Sequence, residues 1–551
     1  MNRDMERWWG WGSLDRSYDL SNRLQFWPFL VDELGLTGDE TSPRPDLERI
    51  TLPSPRLSGE DVQALAAIVG DDNLSLEHEA RVRHSVGKSY PDLMRLRLAQ
   101  LERAPDLVVW PGDEEQVAAL LALAVRANWS VVPYGGGSSV TGGLEALGER
   151  PAISLDLARL DQVLTVDPLS HTATAQAGIL GPALEEALNS QGLTLGHFPQ
   201  SFEFSSLGGW IATRAAGQQS LRYGKIEEMV QSLRMVTPDG VIETRNVPAS
   251  AAGPSIKEVL VGSEGAYGVI TQATMRLRSL PAVRDYRGLL FRSYGDGVAA
   301  IRTMMQSERP PAMARLSDVA ETRAYQAMSR SGGGRRDQLT RAIGVRLMKR
   351  RGFALQGACL MILGCEGDEQ SVPEDLDAAL SICAANGAFH LGRSPGEAWY
   401  EERFDLPYLR DMLLDQGIMV DTLETATTWD NLLPLYERVG QAIAAAIEAE
   451  GMKPLVMCHV SHAYSDGASL YYTFLARQSA DREIAQWEYV KRKATQAIMQ
   501  HGGTLSHHHG VGVDHRPWLE EEHGTLGVAA MRALTHTFDP YGVMNPGKLL
   551  D

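Results

Sequence analysis

The sequence predicts an α+β protein built from two or more domains. A chain of 551 residues is too long to fold around a single hydrophobic core. Strand-like and helix-like patterns alternate from residue 105 to about residue 280, and from residue 281 long helical patterns mix with strand-like runs. We therefore expect an N-terminal helical lead-in over residues 1–104, one α+β domain over 105–280, a second over 281–500, and a C-terminal segment over 501–551.

The first domain opens with a strand, a helix and a second strand. Residues 107–110 are strand-like, and Asp113 is placed to cap the next helix, with Gln116 three residues on as in a capping box. Apolar residues recur at helical spacing as far as Asn128, and residues 130–132 are strand-like again. This order of elements is the one expected of an α+β or α/β domain that binds a cofactor.

The second domain carries longer elements. Residues 429–450 and 479–500 show helical periodicity, whereas residues 358–363 and 470–474 are strand-like. We therefore expect another α+β unit here.

Composition narrows the class of protein. The formal net charge of −18 disfavours a general role in binding nucleic acid, which needs a basic surface. The four cysteines form no CxxC pair, so neither a structural zinc site nor a disulfide framework is indicated, and a reduced, cytoplasmic setting fits best. No run of about 18 apolar residues predicts a spanning helix, and the N-terminus lacks a signal-peptide core.

A glycine-rich tract follows the second strand. Residues 133–140 read Pro-Tyr-Gly-Gly-Gly-Ser-Ser-Val. Consecutive backbone N–H groups in such a loop can form an anion-binding concavity, and the glycines allow a ligand to approach closely. The pattern is not GxGxxG, so a nicotinamide site is not supported. A tight loop and a pyrophosphate site both remain open at this point.

Three other tracts add to this interpretation. Residues 200–209 and 262–271 combine hydroxyl groups with glycines, as expected where backbone lies along an isoalloxazine ring, although ordinary turns would look similar. Residues 507–509 are three consecutive histidines, followed by Gly-Val-Gly. Imidazoles suit proton transfer near neutral pH, and on an extended segment at most two of three could reach one site. We favour catalysis over a metal-binding or surface cluster.

With these tracts in view, the chain resembles the flavoprotein family of vanillyl-alcohol oxidase and p-cresol methylhydroxylase, and within it the branch that forms ether lipids. The resemblance covers nearly the whole chain, and the triple histidine with Gly-Val-Gly is its specific part. It implies a two-subdomain PCMH-type FAD-binding domain, a larger α+β cap (substrate) domain, and a C-terminal tail that returns to the flavin. The matching motifs are at residues 9–12, 103–106, 203–211, 262–265, 408–411 and 506–512.

The resemblance also implies roles for individual residues, with non-covalent FAD, no metal and a homodimer. The positions matching FAD-binding residues are Pro133, Tyr134, Gly135, Gly136, Gly137, Ser138, Ser139, Gln200, Ser201, Ser205, Ser206, Thr213, Arg214, Ala216, Glu264, Gly265, Gly268, Val269 and Ile270. The positions matching catalytic residues are Arg315, Arg410, Tyr471, His507, His508 and His509, of which Arg410 also binds substrate. A guanidinium can grip a departing carboxylate with two hydrogen bonds, whereas a phenol can relay a proton only if cations lower its pKa from about 10.

The implied activity is a redox-neutral alkyl transfer on a lipid-like substrate. Acyl-dihydroxyacetone phosphate would lose a proton at C1 to Tyr471 or a histidine, and flavin N5 would form an adduct there as the fatty acid leaves towards Arg410. A fatty alcohol would then give the ether. Two alternatives stay open: an FAD-dependent dehydrogenase or oxidase of a 2-hydroxy acid or a glycerol phosphate, and a flavin-binding protein without turnover. Tyr471 stands where the metal-using redox relatives have a histidine, which argues against that branch.

Some positions depart from the family pattern. Ser138 replaces a threonine, Gln200 replaces an aspartate, and residues 513–516 are less basic, which predicts weaker binding of a phosphate headgroup. Basic residues also concentrate between 323 and 351. We favour a solvated loop and helix there, with peripheral docking on an anionic membrane as the functional alternative.

Overall fold

The computed structural model describes residues 6–330 and 356–550, together with 346, 348, 350 and 352–354. Helices are mixed with sheets that are mostly antiparallel, which confirms the predicted α+β class. The strands are β1 Leu74–Ser75, β2 Leu107–Val109, β3 Ser130–Tyr134, β4 Ala152–Asp156, β5 Val163–Asp167, β6 Thr172–Gln176, β7 Leu193–Thr194, β8 Val230–Thr237, β9 Gly240–Glu243, β10 Val269–Arg276, β11 Arg278–Ser279, β12 Val283–Phe291, β13 Met313–Ser317, β14 Cys359–Gly367, β15 Phe389–Gly392, β16 Ile418–Thr428, β17 Leu455–Ala463 and β18 Gly467–Arg477.

Helices pack against the strands in both halves of the chain. Those in the described residues with defined ends are α1 Phe26–Leu34, α2 Gly59–Val69, α3 His78–Arg83, α4 Tyr90–Arg97, α5 Glu114–Ala127, α6 Gly181–Asn189, α7 Leu207–Thr213, α8 Ser220–Tyr223, α9 Ile226–Met229, α10 Ile256–Leu260, α11 Tyr294–Met305, α12 Val319–Met328, α13 Ser371–Ala385, α14 Ser394–Glu402, α15 Leu406–Asp415, α16 Trp429–Ala449, α17 Glu483–Gln500 and α18 Leu519–Phe538. None of the described helices combines the length and apolar composition that crossing a bilayer requires.

The strands form three larger sheets. The first has the order β1-β2-β4-β3, in which β2, β4 and β3 run parallel. The second, β5-β6-β10-β8-β9, is antiparallel throughout. The third has seven strands in the order β15-β12-β14-β13-β17-β18-β16, all antiparallel. The first two sheets share one hydrophobic cluster and the third sheet has its own, so the chain has two main cores.

The ends of the chain join these two cores. Trp11, Phe26 and Leu30 pack in the core of the seven-stranded sheet, whereas Leu65 and Val69 pack in the other core. At the C-terminal end, the N–H of Val131 in β3 donates to the carbonyl of Val543 at 2.8 Å, and the N–H of Asn545 donates to the carbonyl of Val131 at 2.8 Å. The C-terminal segment therefore extends the first sheet beside the glycine-rich tract.

Two predicted helix starts differ in detail. The side chain of Asp113 does accept from the N–H of Gln116 at 2.7 Å, but the Gln116 side chain accepts from Gly112 instead, so the capping box does not close. The helix predicted to begin at Ser479 begins at Glu483. The Gln486 side chain accepts a hydrogen bond from the N–H of Ser479, which ties this residue into the turn that precedes the helix.

Candidate active site

A cavity of about 1590 Å³ lies between the two cores and takes its walls from both. This exceeds the roughly 300–1,000 Å³ of ordinary ligand pockets. Hydroxyl and backbone groups from the segment after β3, from residues 199–216 and from residues 264–270 line one side. On the other side the cavity continues into an apolar region with Phe26, Leu30, Leu413, Leu455 and Leu475 on its wall. The shape and chemistry suit a large polar ligand next to a long apolar chain.

The glycine-rich tract lies on this wall directly after β3. A Cβ atom on Gly136 would come within 1.8 Å of the carbonyl oxygen of Phe204, and one on Gly135 within 2.2 Å of Ser206 Oγ. Gly137 has a φ of +65°, a backbone conformation that residues with a side chain rarely adopt. The glycines are therefore required partly by the tract at 200–206 that packs behind them, in addition to any ligand in front.

Most of the predicted FAD-binding residues line the cavity. They are Pro133, Tyr134, Gly135, Gly136, Gly137, Ser138, Ser139, Gln200, Ser201, Ser205, Ser206, Thr213, Ala216, Glu264, Gly265, Gly268 and Ile270. Two others do not. The Arg214 side chain turns away and donates to the carbonyls of Val261 and Glu258, at 3.2 and 3.0 Å. Val269 is fully buried in β10, paired with Val236.

The histidine tract is bent, whereas the sequence suggested an extended segment. The carboxylate of Glu424 in β16 accepts from the backbone N–H groups of His507, His508 and His509, at 2.5, 3.0 and 2.8 Å. Ser506 Oγ donates to the same carboxylate at 2.8 Å. Burial alone would raise the pKa of Glu424, but the facing histidines and these donors outweigh it and hold the pKa well below its usual range. A buried anion thus shapes the backbone of the tract.

This folding decides which histidines reach the cavity. His508 and His509 line it, and their side chains are 13% and 12% exposed. His507 does not line it and instead forms a 2.6 Å hydrogen bond between its Nε2 and the hydroxyl of Tyr464. Burial lowers the pKa of all three imidazoles, that of His507 to about 3. They are therefore neutral at physiological pH, and two of the three face the cavity.

Tyr471 lies on the same wall, in β18. Its ring stacks on His459 at 4.9 Å and lies 6.0 Å from His508 and 5.5 Å from His509. For Tyr471 to relay a proton, nearby cations would have to lower its pKa. Burial instead raises the pKa of Tyr471 to about 12. The phenol is therefore protonated at neutral pH and acts first as a hydrogen-bond donor.

Two arginines complete the wall. Arg410 donates to the Lys88 carbonyl at 2.6 Å and pairs with Asp421 at 3.4 Å, while its buried Nε has no hydrogen-bond partner among the described residues. Arg315 pairs with Glu321 at 2.9 Å. A buried guanidinium N–H without an acceptor is costly, so Arg410 has capacity for an anionic group.

Sequence reasoning missed several residues of this site. Asn545 lines the cavity and donates from Nδ2 to the Glu264 carbonyl at 2.7 Å, while its buried Oδ1 has no partner among the described residues. An unpaired buried acceptor on this wall fits the hydrogen-bond donors of a flavin or nucleotide ring. The sequence feature that could have indicated Asn545 is its position before Pro-Gly, in a turn near the C-terminal end of the chain. Glu424 left a weaker signal, a carboxylate in a mostly buried strand that also contains Asp421 and several threonines.

One imidazole cluster resembles a metal site. Nitrogens of His462, His507 and His508 all lie within 4.8 Å of one another. However, His462 Nδ1 is hydrogen-bonded to Ser220 Oγ at 2.6 Å, and both nitrogens of His507 have partners. The sequence-based expectation of no metal stays a prediction.

The fold and the cavity define an FAD-dependent enzyme, and comparison with known proteins makes this specific. Residues 105–245 match the FAD binding domain model, and residues 280–549 match the model for FAD linked oxidases, C-terminal domain. Alkyldihydroxyacetonephosphate synthase of Dictyostelium discoideum is 39% identical over 95% of this chain and 87% of its own length. That of Trypanosoma brucei brucei is 34% identical over 94% of this chain and 83% of its own.

A solved structure titled alkyldihydroxyacetonephosphate synthase agrees with these matches. It superposes with a TM-score of 0.86 at 35% identity and covers 99% of each chain. The chain therefore belongs to the alkyldihydroxyacetonephosphate synthase family of FAD-linked flavoproteins. Its cofactor is FAD.

Proposed function

We propose that this enzyme exchanges the acyl chain of acyl-dihydroxyacetone phosphate for a fatty alcohol and so makes the alkyl ether precursor of ether lipids. The observation that carries the proposal is the meeting of Arg410, Tyr471 and His508 on one wall, between the glycine-rich tract and an apolar region. The relatives named for this reaction support it over most of the chain.

FAD would be held non-covalently by the glycine-rich tract, by residues 200–216 and 264–270, and by Asn545. When bound, it supplies an electrophilic centre next to the substrate carbon. Arg410 would bind the carboxylate of the departing fatty acid through its unpartnered Nε–H and its fork. The apolar region would hold the chains.

The pKa values assign different roles in proton transfer to His508 and Tyr471. His508 is neutral, so its Nε2 can accept a proton from the reacting groups, whereas Tyr471 is protonated and can donate a hydrogen bond. The pKa directions therefore favour a histidine over Tyr471 as the base.

A direct assay tests the proposal. FAD-loaded protein is incubated with acyl-dihydroxyacetone phosphate and a labelled fatty alcohol, and the labelled ether and free fatty acid are quantified. One fatty acid should appear per ether formed. Absence of labelled ether from protein whose FAD content has been verified rejects the proposal. Bleaching of the flavin by lactate or glycerol 3-phosphate without oxygen would instead favour a dehydrogenase.

The domain limits at 1–104, 105–280, 281–500 and 501–551, a homodimer and a cytoplasmic location remain predictions. Membrane docking through residues 323–351 also stays a prediction, because residues 331–345 and several that follow lie outside the described part. Arg323 pairs with Glu33, and Arg330 pairs with Glu402. Vesicle flotation with these basic residues replaced by glutamine tests docking, and unchanged flotation rejects it.

A further inference from the structure

A hydrogen-bonded chain leads away from the cavity through the histidine tract. His508 Nδ1 lies 3.0 Å from His507 Nδ1, and His507 Nε2 lies 2.6 Å from the hydroxyl of Tyr464. Of these residues only His508 lines the cavity. The other two extend outward from it, and each link has hydrogen-bond length.

The outer end of the chain lies at a surface turn. Tyr464 is half-buried in the turn between β17 and β18, followed by the exposed Ser465 and Asp466. Burial, together with the nearby negative charges of Glu227, Glu228, Glu424 and Asp466, raises the pKa of the phenol. The hydroxyl therefore keeps its proton at neutral pH, in a turn whose next two residues are exposed to solvent.

The two imidazoles can pass a proton along this chain. Each ring has two nitrogens and can take a proton on one while it releases a proton from the other. As a proton is taken up at His508 Nε2, one would move from His508 Nδ1 to His507 Nδ1 and another from His507 Nε2 to the Tyr464 oxygen, while the Tyr464 O–H proton passes to water at the surface turn. Burial lowers the pKa of both rings, so neither stores the charge for long.

The proposed reaction needs such an exit. The C1–O bond to the acyl group breaks, a C1–O bond to the alcohol forms, and the O–H bond of the alcohol breaks. The fatty acid leaves as a carboxylate at neutral pH, so each turnover releases one proton, with no net oxidation or reduction. This proton originates at the cavity wall and must reach solvent.

We propose that His508, His507 and Tyr464 form a proton relay that carries the released proton from the cavity to the surface, with Tyr464 as the exit. This inference rests on the proposed function. His508 contacts the reacting groups, whereas His507 and Tyr464 act through it. The same chain can run inward when bound FAD is reduced, because that step takes up a proton.

The test replaces Tyr464 with phenylalanine, which keeps the ring and removes the hydroxyl. In FAD-loaded Tyr464→Phe we expect unchanged FAD content and KM, and kcat at least tenfold lower with a larger solvent deuterium isotope effect. A small buffer such as imidazole should restore kcat as its concentration rises. Tyr436→Phe is the control, since Tyr436 donates to Asp318 at 3.2 Å, away from the relay. It should show neither the isotope effect nor the rescue.

A second measurement needs no substrate. Bound FAD is photoreduced rapidly, and proton uptake is followed with an indicator dye. Uptake should be at least tenfold slower in Tyr464→Phe and in His507→Gln than in the wild type and Tyr436→Phe. Equal uptake rates, or a kcat in Tyr464→Phe that is lower but insensitive to buffer, overturn the relay. A stoichiometric metal in the purified protein also overturns it, because coordination would take the same nitrogens. Absence of ether from the wild type rejects the proposed function, while the uptake rates still decide the relay.

Discussion

The carboxylate of Glu264 accepts a hydrogen bond from the backbone N–H of Gly512 at 2.7 Å, although 248 residues separate them in the chain. The N–H of Val511 donates to the same carboxylate at 2.6 Å. Glu424 holds the preceding histidines in the same way. One carboxylate from each core therefore fixes the histidine tract, so its position depends on how the two cores meet.

Gly512 is the residue of this tract that tolerates a side chain least. A Cβ atom there would lie 2.0 Å from the carbonyl oxygen of Thr141, at a φ of +55°. We expect Gly512→Ala to lower the free energy of unfolding by roughly 2–4 kcal/mol and to reduce FAD retention. Urea denaturation and the ratio of flavin to protein absorbance measure both.

Gly451→Ala is the matched control. Gly451 also has a positive φ, +78°, but nothing lies within 4 Å of its Cβ position, just beyond the C-terminal end of α16. It should show only the cost of the backbone conformation, about 1 kcal/mol. Equal losses in the two variants would contradict close packing against Thr141.

Glu424→Gln should disturb the histidine tract although glutamine has nearly the same volume as glutamate. The amide cannot accept from all four donors, and its own NH₂ would face N–H groups. We expect a loss of about 3 kcal/mol in stability and at least tenfold in kcat. Glu437→Gln, at an exposed position on α16, should leave both unchanged. Wild-type activity in Glu424→Gln would show that the carboxylate does not position His508.

The variant Arg410→Lys tests whether the positive charge of Arg410 is enough for substrate binding or whether the shape of its guanidinium is also needed. Lysine keeps the positive charge but loses the planar fork and the Nε–H that has no partner among the described residues. We expect kcat/KM for the acyl substrate to fall roughly a hundredfold, equivalent to about 2.7 kcal/mol, with FAD content unchanged. Steady-state kinetics measure this, with the exposed Arg302→Lys as control. An unchanged kcat/KM would remove Arg410 from carboxylate binding.

His197 should make the protein sensitive to acid. It is fully buried against Trp210 with neither nitrogen partnered among the described residues, and burial, with a smaller effect of Lys225, lowers its pKa to about 3. The unfolded state, with a pKa of about 6.5, therefore binds the proton more readily, and stability falls as pH drops below 6.5.

The variant His197→Leu isolates this effect. Between pH 7.5 and pH 5, its free energy of unfolding should improve relative to the wild type by about 2 kcal/mol. Urea denaturation at both values measures the difference. The exposed His523→Leu should follow the wild type at both. Parallel pH profiles for His197→Leu and the wild type would show that His197 is protonated in the folded state.

The sequence was informative wherever local chemistry or motif identity decides the structure. Alternation of strand and helix patterns predicted the α+β class, and the Asp113 cap fixed the start of α5. The glycine-rich tract and the histidines were predicted from residue types and family motifs, and the structure brings Gly135, His508 and His509 to one cavity.

Contacts between distant segments could not be predicted in this way. The bend of the histidine tract depends on Glu424, 83 residues before His507, and no local pattern links them. Arg214 was predicted to bind FAD because its position matches a family motif, yet its αL backbone, at φ +53°, turns the side chain towards Glu258 and Val261. The raised pKa of Tyr471 follows from burial, which residue identity alone does not give.

The pairing of Val131 with Val543 and Asn545 has a consequence for biosynthesis. As the nascent chain leaves the ribosome, the glycine-rich tract emerges some 400 residues before the strand partner that lies beside it. The nucleotide cradle is thus left unfinished through most of translation, and FAD can be captured in its final setting only after residues 506–545 have been made.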